Sequence, residues 1–504
     1  MKSISIGDEL ARATGLHQHR RFEDAVAIYR RILEVEPTNR DVLVLLASGL
    51  RSLGNLDDAV ALYDHIAAEN PQRAEFWFNR ANALSDIGRF DDAISSYNRS
   101  LEIDRDNASV LANLAIAEMK IGQAESATAH YRQALAIEPG HRIAAHNLGN
   151  ILSEAGGSHE AAALFRQTIR NEPGLAEGHY NLGLVLLRLG DFANGFKEYE
   201  WRWDTADFFT RPNYRDIPVW NGESLKGRRL LVHAEQGLGD TIQFSRLLGL
   251  IRSLCDDVVF HIPANLERLL KTMPFDVQVA SAHGAGDADY QIPLLSLPHR
   301  LKLTPGSIPQ MSNHLQSDPQ ISDMWRQRLQ LDGRAPTIGF VWRGNPNSPA
   351  ERGRSLASAE EFVSFAELSG VRLIALQKLD ADELETADTV SGWKVGGLSF
   401  TMEHPGPDMD NGRDAFIDTA AIMSSLDLIV SVCTAPLHLA GALGRPALGL
   451  LRPVPDWRWM MERSDTPWYP RMTLVRQLAG EGYRPAIARA AEIARTRLLT
   501  SSSS

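Results

Sequence analysis

Residues 74–107 read AEFWFNRANALSDIGRFDDAISSYNRSLEIDRDN, and the spacing of small and aromatic residues in this stretch returns every 34 residues. One position of six successive units holds a small residue, in the series Ala25, Ala59, Ala93, Ala127, Ala161 and Gly195. Four residues after each comes an aromatic, in the series Tyr29, Tyr63, Tyr97, Tyr131, Phe165 and Tyr199. Small residues let one helix approach its partner, and the aromatic ring fills the remaining gap. Because one such unit cannot bury its own apolar face, the six units predict a stacked, all-helical solenoid.

A second small-residue position repeats in the same register, in the series Ala13, Ala47, Ala81, Ala115, Gly149 and Gly183. Together the two series resemble the tetratricopeptide repeat over residues 6–203. The resemblance implies six helical hairpins with a concave surface that binds a protein or peptide, and a simple spacer is the alternative. Four asparagines also share one register, namely Asn79, Asn113, Asn147 and Asn181. Their amides can donate and accept hydrogen bonds along an extended peptide. Side chains that face solvent, or that make polar contacts between helices, are the alternative.

The segment after the repeats, residues 204–227 together with the end of the last repeat, is rich in aromatic side chains. They are Trp201, Trp203, Phe208, Phe209 and Trp220. So many rings close together would be unfavourable in water. We therefore predict a cap that packs the solenoid onto the part of the chain that follows.

From Arg228 onward, short apolar runs alternate with segments of helical spacing. Such alternation implies parallel sheets covered by helices. One series occupies residues 228–325 and a second, opening with PTIGFVW, occupies residues 335–480. Two Rossmann-like domains with a cleft between them are expected, and ligands in such folds lie beyond the carboxyl ends of the strands. Residues 481–504 are expected to form a final helix and a serine tail.

The run VSVCTAPLHLAGALGRP, residues 430–446, predicts a buried strand that turns into a helix. Thr434 suits the N-cap, Ala435 and Pro436 suit the first turn, and the exposed amides with the helix dipole suit a phosphate or diphosphate. His438, also in the first turn, can donate to a phosphate oxygen or to a leaving group. The alternative is a tight turn with a buried structural histidine.

This run, with IDTAAIMSSLDLIVSV before it and PDWRWMMERSDTPWYPRMTLVRQ after it, resembles bacterial tetratricopeptide-linked glycosyltransferases. These are related to the heptosyltransferase-like families of the GT-B fold, and their architecture is shared in outline with O-linked N-acetylglucosamine transferases. The resemblance implies an acceptor in the first α/β half and a nucleotide sugar in the second, as co-substrate and with no cofactor. It also implies metal-independent chemistry. Two loose acidic pairs, Asp287 with Asp289 and Asp408 with Asp410, fall in irregular polar stretches and predict no metal site.

The family resemblance also assigns roles around EQGLGDTIQFSRLL, which follows the first strand of the first half. By that match Asp240 is the first candidate for the general base that deprotonates the acceptor, and Glu235 is the second. Capping of the following helix is the alternative for Asp240. Gly237 and Gly239 are expected to permit a tight strand-to-helix turn.

The stretch VWRGNPNSPAERGRSL, residues 341–356, matches a family segment that lines the donor site. Arg343 and Arg354 are expected to bind the diphosphate through bidentate hydrogen bonds, and Asn345 to hold the loop or touch the donor. Gln377, at the end of the strand VRLIALQ, is expected near the nucleoside. For residues 341–356, a solvated arginine-rich loop is the alternative to a donor-binding segment.

One departure from the family concerns Cys433, which stands where many relatives have an acidic residue before threonine. The exchange removes charge and hydrogen-bonding capacity next to the expected donor. A reactive thiolate is favoured at a helix amino terminus, but no base pattern accompanies this cysteine. Trp457, Trp459 and Trp468 are expected to pack an interdomain seam, and stacking on a base or sugar is the alternative.

The composition restricts partners and location. The chain of 504 residues carries 52 Lys and Arg against 63 Asp and Glu, a formal net charge of −11. This balance argues against broad binding to nucleic acids or anionic membranes. Two cysteines are too few for a disulfide framework, and neither a signal peptide nor an apolar run near ~20 residues is found. We therefore predict a cytoplasmic protein with no nucleic-acid partner and no membrane span.

The predicted function is transfer of a sugar from a nucleotide-sugar donor to an acceptor recruited by the repeats. A protein is the favoured acceptor, by analogy flagellin or another surface protein. Two alternatives stay open. One is a noncatalytic adaptor with a degenerate GT-B part, which Cys433 favours and the retained Asp240 opposes. The other is a transferase of lipopolysaccharide or exopolysaccharide assembly, whose acceptor is a glycan.

Overall fold

The structure, a computed structural model, describes residues 5–69, 71–206, 208, 214, 216–281, 287–345, 351, 353–379, 393–394 and 401–499. Phe209 of the predicted aromatic cap and the terminal serines lie outside the described residues. The chain divides into two compact units, Met1–Gly178 and His179–Ser504. Each unit is therefore described by itself.

The first unit is built of antiparallel helical hairpins. Its helices are α1 Ile6–Gln18, α2 Phe22–Val35, α3 Arg40–Ser52, α4 Leu56–Glu69, α5 Ala74–Asp86, α6 Phe90–Ile103, α7 Ala108–Lys120, α8 Ala124–Ile137, α9 Arg142–Ala155 and α10 Ser158–Asn171. The first helix of a hairpin ends at a glycine in the left-handed region in successive repeats, at Gly54, Gly88, Gly122 and Gly156. A positive φ carries little strain in glycine, so this residue lets the chain reverse at the same point in each repeat.

The small and aromatic series of the sequence form the core of these hairpins. Ala81 on α5 and Ala93 on α6 are fully buried, and Tyr97 is 1% exposed. The Tyr97 hydroxyl donates to Asn82 Oδ1 at 2.7 Å, which satisfies the buried phenol. The predicted helical solenoid is confirmed.

The second unit begins with one further hairpin, α11 Ala176–Arg188 and α12 Phe192–Tyr199, of which α11 crosses the unit boundary. Phe192 stacks on Trp468 with ring centroids 6.0 Å apart, and Phe196 meets Trp457 edge-on at 5.5 Å. Because of these contacts the compact units divide at residue 178, one hairpin before the predicted boundary at residue 203. The aromatic seam thus involves α12 as well as the expected tryptophans.

Two parallel sheets follow in the second unit. The first has the order β3-β2-β1-β4, and the second has the order β11-β10-β9-β5-β6. Their strands are β1 Arg229–His233, β2 Asp257–His261, β3 Gln278–Ala280, β4 Tyr290–Pro293, β5 Thr337–Val341, β6 Arg372–Ala375, β9 Leu428–Val432, β10 Ala447–Leu451 and β11 Met472–Arg476. A small antiparallel pair, β7 Trp393–Lys394 and β8 Thr401–Met402, lies between β6 and β9 in the chain. Parallel sheets are consistent with the predicted α/β region, and its GT-B arrangement stays a prediction.

Helices connect most of these strands. They are α13 Leu238–Phe244, α14 Leu248–Arg252, α15 Glu267–Leu270, α16 Leu297–Arg300, α17 Pro319–Arg328, α18 Ile417–Met423, α19 Ala435–Ala442 and α20 Tyr483–Leu499. One apolar core includes Leu230 and Ile292 of the first sheet together with Ile374 and Ile429 of the second. The two sheets therefore share a core within one unit.

Within the predicted linker, residues 204–227, the described residues 219 and 220 join the first sheet. Val219 forms a parallel bridge with Gln291 of β4, and the Trp220 amide donates to the Gln291 carbonyl at 2.9 Å. Trp220 is buried, and its indole N–H donates to the Glu223 carbonyl at 2.9 Å. Among the described helices, none combines the length and apolar character needed to cross a bilayer.

Substitution of Gly183 tests the close packing of α11 against α12. A Cβ at this position would lie 2.7 Å from the backbone nitrogen of Tyr199, so Gly183→Ala forces two backbones apart. We expect the substitution to lower the free energy of unfolding by about 1–3 kcal/mol. Gly15→Ala in α1 is the matched control, because a Cβ there meets nothing within 4 Å, and it should stabilise by about 0.5–1 kcal/mol. Urea unfolding followed by circular dichroism measures both, and equal effects would contradict the packing described.

Candidate active site

The candidate site lies where two strand ends of the second unit meet. β1 ends at His233 and leads into α13, and β9 ends at Val432 and leads into α19. The two helices pack closely at Gly239, where a Cβ would lie 3.3 Å from the Ala435 Cα and 3.2 Å from the His438 ring. The absence of a side chain at Gly239 thus leaves room for this close approach. Gly237 has a φ of −74°, which any residue adopts, so the predicted tight turn into α13 does not depend on a left-handed backbone at this glycine.

Asp240 caps α13 and also carries an ion pair to the other half of the unit. Its Oδ2 accepts from the Gly237 amide at 3.0 Å, and its Oδ1 accepts from Arg458. Arg458 Nη1 lies 2.8 Å from Asp456 Oδ1, and the other Asp456 oxygen lies 3.3 Å from Arg354 Nη2. We call this series, Asp240–Arg458–Asp456–Arg354, the ionic bridge. Sequence reasoning missed Asp456 and Arg458, although both stand in the quoted PDWRW motif.

The ionic bridge is largely shielded from water. The Arg458 side chain is 8% exposed, and its guanidinium lies over the Trp457 ring at 4.5 Å. Burial works to lower the pKa of Arg458, but the charges of Asp240 and Asp456 outweigh it and raise that pKa above its usual value. Burial would raise the pKa of Asp456, yet Arg458 and Arg354 hold it well below its usual range. Arg458 and Asp456 are therefore both charged at neutral pH.

Glu235, the second candidate base, is instead part of a buried ion pair. Its two oxygens accept from Arg202 Nε and Nη2 at 2.8 and 2.9 Å, and one also accepts from the Leu295 amide at 2.8 Å. Both side chains of the pair are fully buried. Burial raises the pKa of Glu235, and the charge of Arg202 opposes that shift. These contacts give Glu235 a structural role and remove it from the candidate bases.

His438 is buried beside α13 and stacks on Trp459, with ring centroids 5.2 Å apart. Its Nδ1 lies 3.1 Å from the Tyr469 hydroxyl. Burial, reinforced by the charge of Arg458, lowers the pKa of His438 to about 3. The imidazole is therefore neutral near pH 7, so it can offer a hydrogen bond to an anion but no positive charge.

The turn before α19 differs from expectation in its cap. Thr434 stands at the N-cap position without capping, because its hydroxyl donates back to the Val432 carbonyl at 3.3 Å. Ala435 and Pro436 form the first turn, as predicted. Cys433 Sγ accepts from the Trp459 indole N–H at 2.9 Å, and burial raises the pKa of this thiol. Cys433 is thus a neutral, packed thiol in this fold.

The predicted donor loop is only partly described, since residues 346–350 and 352 lie outside the described residues. Gln377 Oε1 accepts from the amides of Trp342 and Arg343 at 3.2 and 3.0 Å, so this side chain holds the end of β5. That contact differs from the expected one with a nucleoside. Arg343 is half-buried and Asn345 is exposed. Arg354, near the end of the loop, contacts Asp456 and so belongs to the ionic bridge.

A small cavity adjoins these groups. It encloses about 10 Å³ and is lined by Arg354, Cys433, Leu451, Arg452, Pro455, Asp456 and Tyr483. This volume is about that of one water molecule. A larger groove of about 650 Å³ lies elsewhere in the unit, between α15, residues 316–320 and α18. Its lining includes none of the predicted donor or base residues.

The repeated asparagines are half-buried, and two of them make contacts inside the first unit. The Asn113 amide donates to Asn82 Oδ1 at 3.0 Å, and Asn147 is hydrogen-bonded to Tyr131. Asn79 lies on α5 in the same register, and Asn181 lies on α11 in the second unit. These contacts agree with the alternative prediction for the asparagines, namely polar contacts between helices. An amide has two N–H groups and an acceptor oxygen, so capacity for a peptide remains.

One member of each loose acidic pair makes contacts in the local structure. Asp289 accepts from Arg228 at 2.7 Å and from the Arg229 amide at 2.8 Å, and Asp410 accepts from the Asp418 amide at 2.8 Å. Over the described part of the chain, no three His, Cys, Asp or Glu side chains are placed to hold a metal ion.

The amino-terminal repeats match known families. Residues 10–74, 44–109 and 146–204 match one tetratricopeptide repeat family, and residues 86–149 match a second. The matched residues include α11 and α12. The solenoid is therefore made of tetratricopeptide repeats, and such repeats indicate protein–protein interaction.

One relative extends over more of the chain. Protein FlbA of Caulobacter vibrioides is 26% identical to it over 321 residues, which cover 59% of this chain and 51% of FlbA. The matched part thus spans about half the length of that relative.

Similar solved structures are confined to a smaller share of the chain. MamA is 21% identical and covers 34% of this chain and 96% of its own, with a TM-score of 0.30. A tetratricopeptide repeat protein of Thermus thermophilus, TTC0263, is 18% identical, covers 36% and 100%, and has a TM-score of 0.32. PilF of Pseudomonas aeruginosa is 15% identical, covers 40% and 89%, and has a TM-score of 0.36.

The structural role of Glu235 leads to a stability prediction. Arg202→Met leaves the Glu235 carboxylate buried and unpaired, so we expect the free energy of unfolding to fall by about 3–5 kcal/mol. The double variant Arg202→Met/Glu235→Leu removes both charges and should recover most of that loss. Urea unfolding followed by tryptophan fluorescence measures both variants. A double variant as unstable as Arg202→Met would refute the ion-pair explanation.

The packed cysteines lead to a prediction of low reactivity. Burial raises the thiol pKa of both Cys255 and Cys433, and the thiolate is the reactive form. At about pH 7.5 the folded protein should react with Ellman's reagent more slowly than the denatured chain, on the order of a hundredfold. Cys433→Ser, compared with Cys255→Ser, assigns the two rates. A fast-reacting Cys433 would mean that its thiolate is favoured after all.

Proposed function

We propose that the chain is a glycosyltransferase that moves a sugar from a nucleotide-sugar donor to a polypeptide acceptor bound by the repeats. The observation that carries the proposal is the meeting of α13 and α19, where Asp240 of one half pairs with Arg458 of the other. Ligands of parallel α/β sheets bind at the carboxyl ends of strands, and both helices begin there. A carboxylate and several cationic groups at such a point suit the displacement of a diphosphate.

In the proposed reaction, an acceptor hydroxyl attacks the anomeric carbon of the donor sugar. Asp240 takes the hydroxyl proton as the new C–O bond forms, and the bond between the anomeric carbon and the diphosphate breaks. The electron pair of that bond leaves with the nucleoside diphosphate, which Arg343, Arg354 and the first amides of α19 stabilise. Each carboxylate oxygen has two lone pairs, so its contacts with Gly237 and Arg458 leave Asp240 able to accept this proton.

The acceptor is proposed to be a protein, because tetratricopeptide repeats indicate protein–protein interaction. A surface or flagellar protein modified before export is the acceptor class expected from the sequence. Both cysteines are free, which fits the proposed cytoplasmic location, where disulfides are rare.

A noncatalytic adaptor is the second candidate function, and the cavity favours it. About 10 Å³ beside Arg354 and Asp456 cannot hold a diphosphate without rearrangement. The neutral Cys433 thiol next to that cavity adds no charge to the site. An adaptor requires only the repeats to bind, and its second unit serves as a scaffold.

Donor binding separates the two candidates. The full chain is titrated calorimetrically with UDP, GDP, ADP and CDP, each compared with its nucleoside. A transferase should bind at least one diphosphate more tightly than the nucleoside. If none of the four binds, the transferase proposal fails and the adaptor remains.

Asp240→Asn tests the proposed base. The amide keeps the size of the side chain but cannot take the acceptor proton, so transfer should fall by about a hundredfold or more. Intact-mass analysis of polypeptides co-expressed with each variant measures the transfer. Asp465→Asn is the matched control, because Asp465 forms an exposed ion pair with Arg463 at 2.7 Å, and it should retain activity. Full transfer by Asp240→Asn would assign Asp240 to helix capping and the ionic bridge alone.

A further inference from the structure

The short segment after β5 holds a carboxylate in a place that suits a phosphate oxygen. The Gly344 amide donates to Glu351 Oε1 at 3.2 Å and to Ser355 Oγ at 3.0 Å. The Ser355 hydroxyl also donates to Glu351 Oε1. A backbone amide and a hydroxyl directed at one anionic oxygen are groups that bind phosphates as well as carboxylates.

This carboxylate lies next to the α19 turn. A Cβ added to Gly344 would overlap the Glu351 carboxylate and would lie 3.0 Å from Thr434 Cγ2. The absence of a side chain at residue 344 therefore leaves the space that Glu351 occupies. The Gly344 amide and the Ser355 hydroxyl are thus close to the first turn proposed to bind the diphosphate.

A second carboxylate, that of Asp456, pairs with the neighbouring guanidinium of Arg354. Asp456 Oδ2 lies 3.3 Å from Arg354 Nη2, and both residues line the cavity of about 10 Å³. The amide, the hydroxyl and the guanidinium that suit a diphosphate all contact carboxylates of the chain itself. A diphosphate that takes over the contacts of the amide and the hydroxyl therefore has to displace the Glu351 carboxylate.

We infer that the Gly344 amide and the Ser355 hydroxyl form a phosphate subsite, and that the Glu351 carboxylate occupies it until a nucleotide diphosphate displaces it. The inference rests on the proposed donor site. It makes Glu351 an internal competitor, so its charge weakens donor binding. Ser355 strengthens donor binding, because its hydroxyl donates to the incoming phosphate once the carboxylate has left.

Glu351→Gln and Ser355→Ala test the inference through effects of opposite sign. The full-length variants are titrated calorimetrically with inorganic pyrophosphate, UDP and GDP. Glu351→Gln keeps the shape but removes the charge, so the Kd should fall by about tenfold. Ser355→Ala should raise the Kd by about tenfold. Glu361→Gln is the matched control, because Glu361 pairs with Arg484 on the same half at 3.2 Å, and its Kd should equal that of the natural chain.

A second substitution at residue 351 shows whether the change in Kd comes from the lost charge or from a changed loop structure. Glu351→Ala also removes the charge, and it should tighten binding as Glu351→Gln does. Unchanged or weaker binding by both Glu351 variants, in a chain whose natural form binds a diphosphate, overturns the inference and leaves the transferase proposal standing. If the natural chain and all variants bind no diphosphate, the proposed function and the inference both fall.

Discussion

The ion pair between Asp240 and Arg458 is the constraint on which the second unit depends. A guanidinium that is 8% exposed loses most of its hydration, and such a loss costs several kcal/mol. Asp456 supplies a second carboxylate at 2.8 Å, and the Trp457 ring lies 4.5 Å from the guanidinium carbon. The two carboxylates, the Trp457 ring and the Phe244 ring at 5.7 Å together offset that cost. The same contacts fix α13, on one sheet, against the segment that follows β10 on the other.

Two carboxylates that occupy similar positions in the sequence, those of Glu235 and Asp240, differ in burial and in their partners. Glu235 and Asp240 both follow β1, yet Glu235 is fully buried against Arg202, whereas the Asp240 side chain is 18% exposed. A general base must meet the acceptor proton at hydrogen-bonding distance. A carboxylate closed off by a bidentate arginine and a backbone amide cannot do so without breaking a buried ion pair. Exposure thus leaves Asp240 as the candidate base, for a physical reason that residue type alone does not contain.

The solenoid could be predicted because its pattern is local. Packing between adjacent helices needs a small residue such as Ala93 and a ring such as Tyr97 at short spacing, and a single sequence contains both. The sequence pattern does not show that the last hairpin packs into the second compact unit, because Phe192 and Phe196 contact Trp468 and Trp457, more than 250 residues later in the chain. The site shows the same limit, since the turn into α19 was predictable from a strand followed by Thr434 and Pro436, whereas the partner of Asp240 lies 218 residues away. The two closely spaced charges of PDWRW, one on each side of Trp457, were the available signal for Asp456 and Arg458.

The charge balance of the ionic bridge bears on the choice between transferase and adaptor. Two carboxylates and two guanidinium groups sum to zero, so the bridge as it stands presents no net positive charge to a diphosphate. The diphosphate of a donor is attracted to this region if Asp456 or a neighbouring carboxylate moves away from Arg354. Arg343 and Arg452 can also supply further positive charge. Binding by exchange of carboxylate for phosphate keeps every donor group paired and costs less than opening an unoccupied buried site. An adaptor has no such exchange to make, so the same four residues would remain a fixed structural bridge.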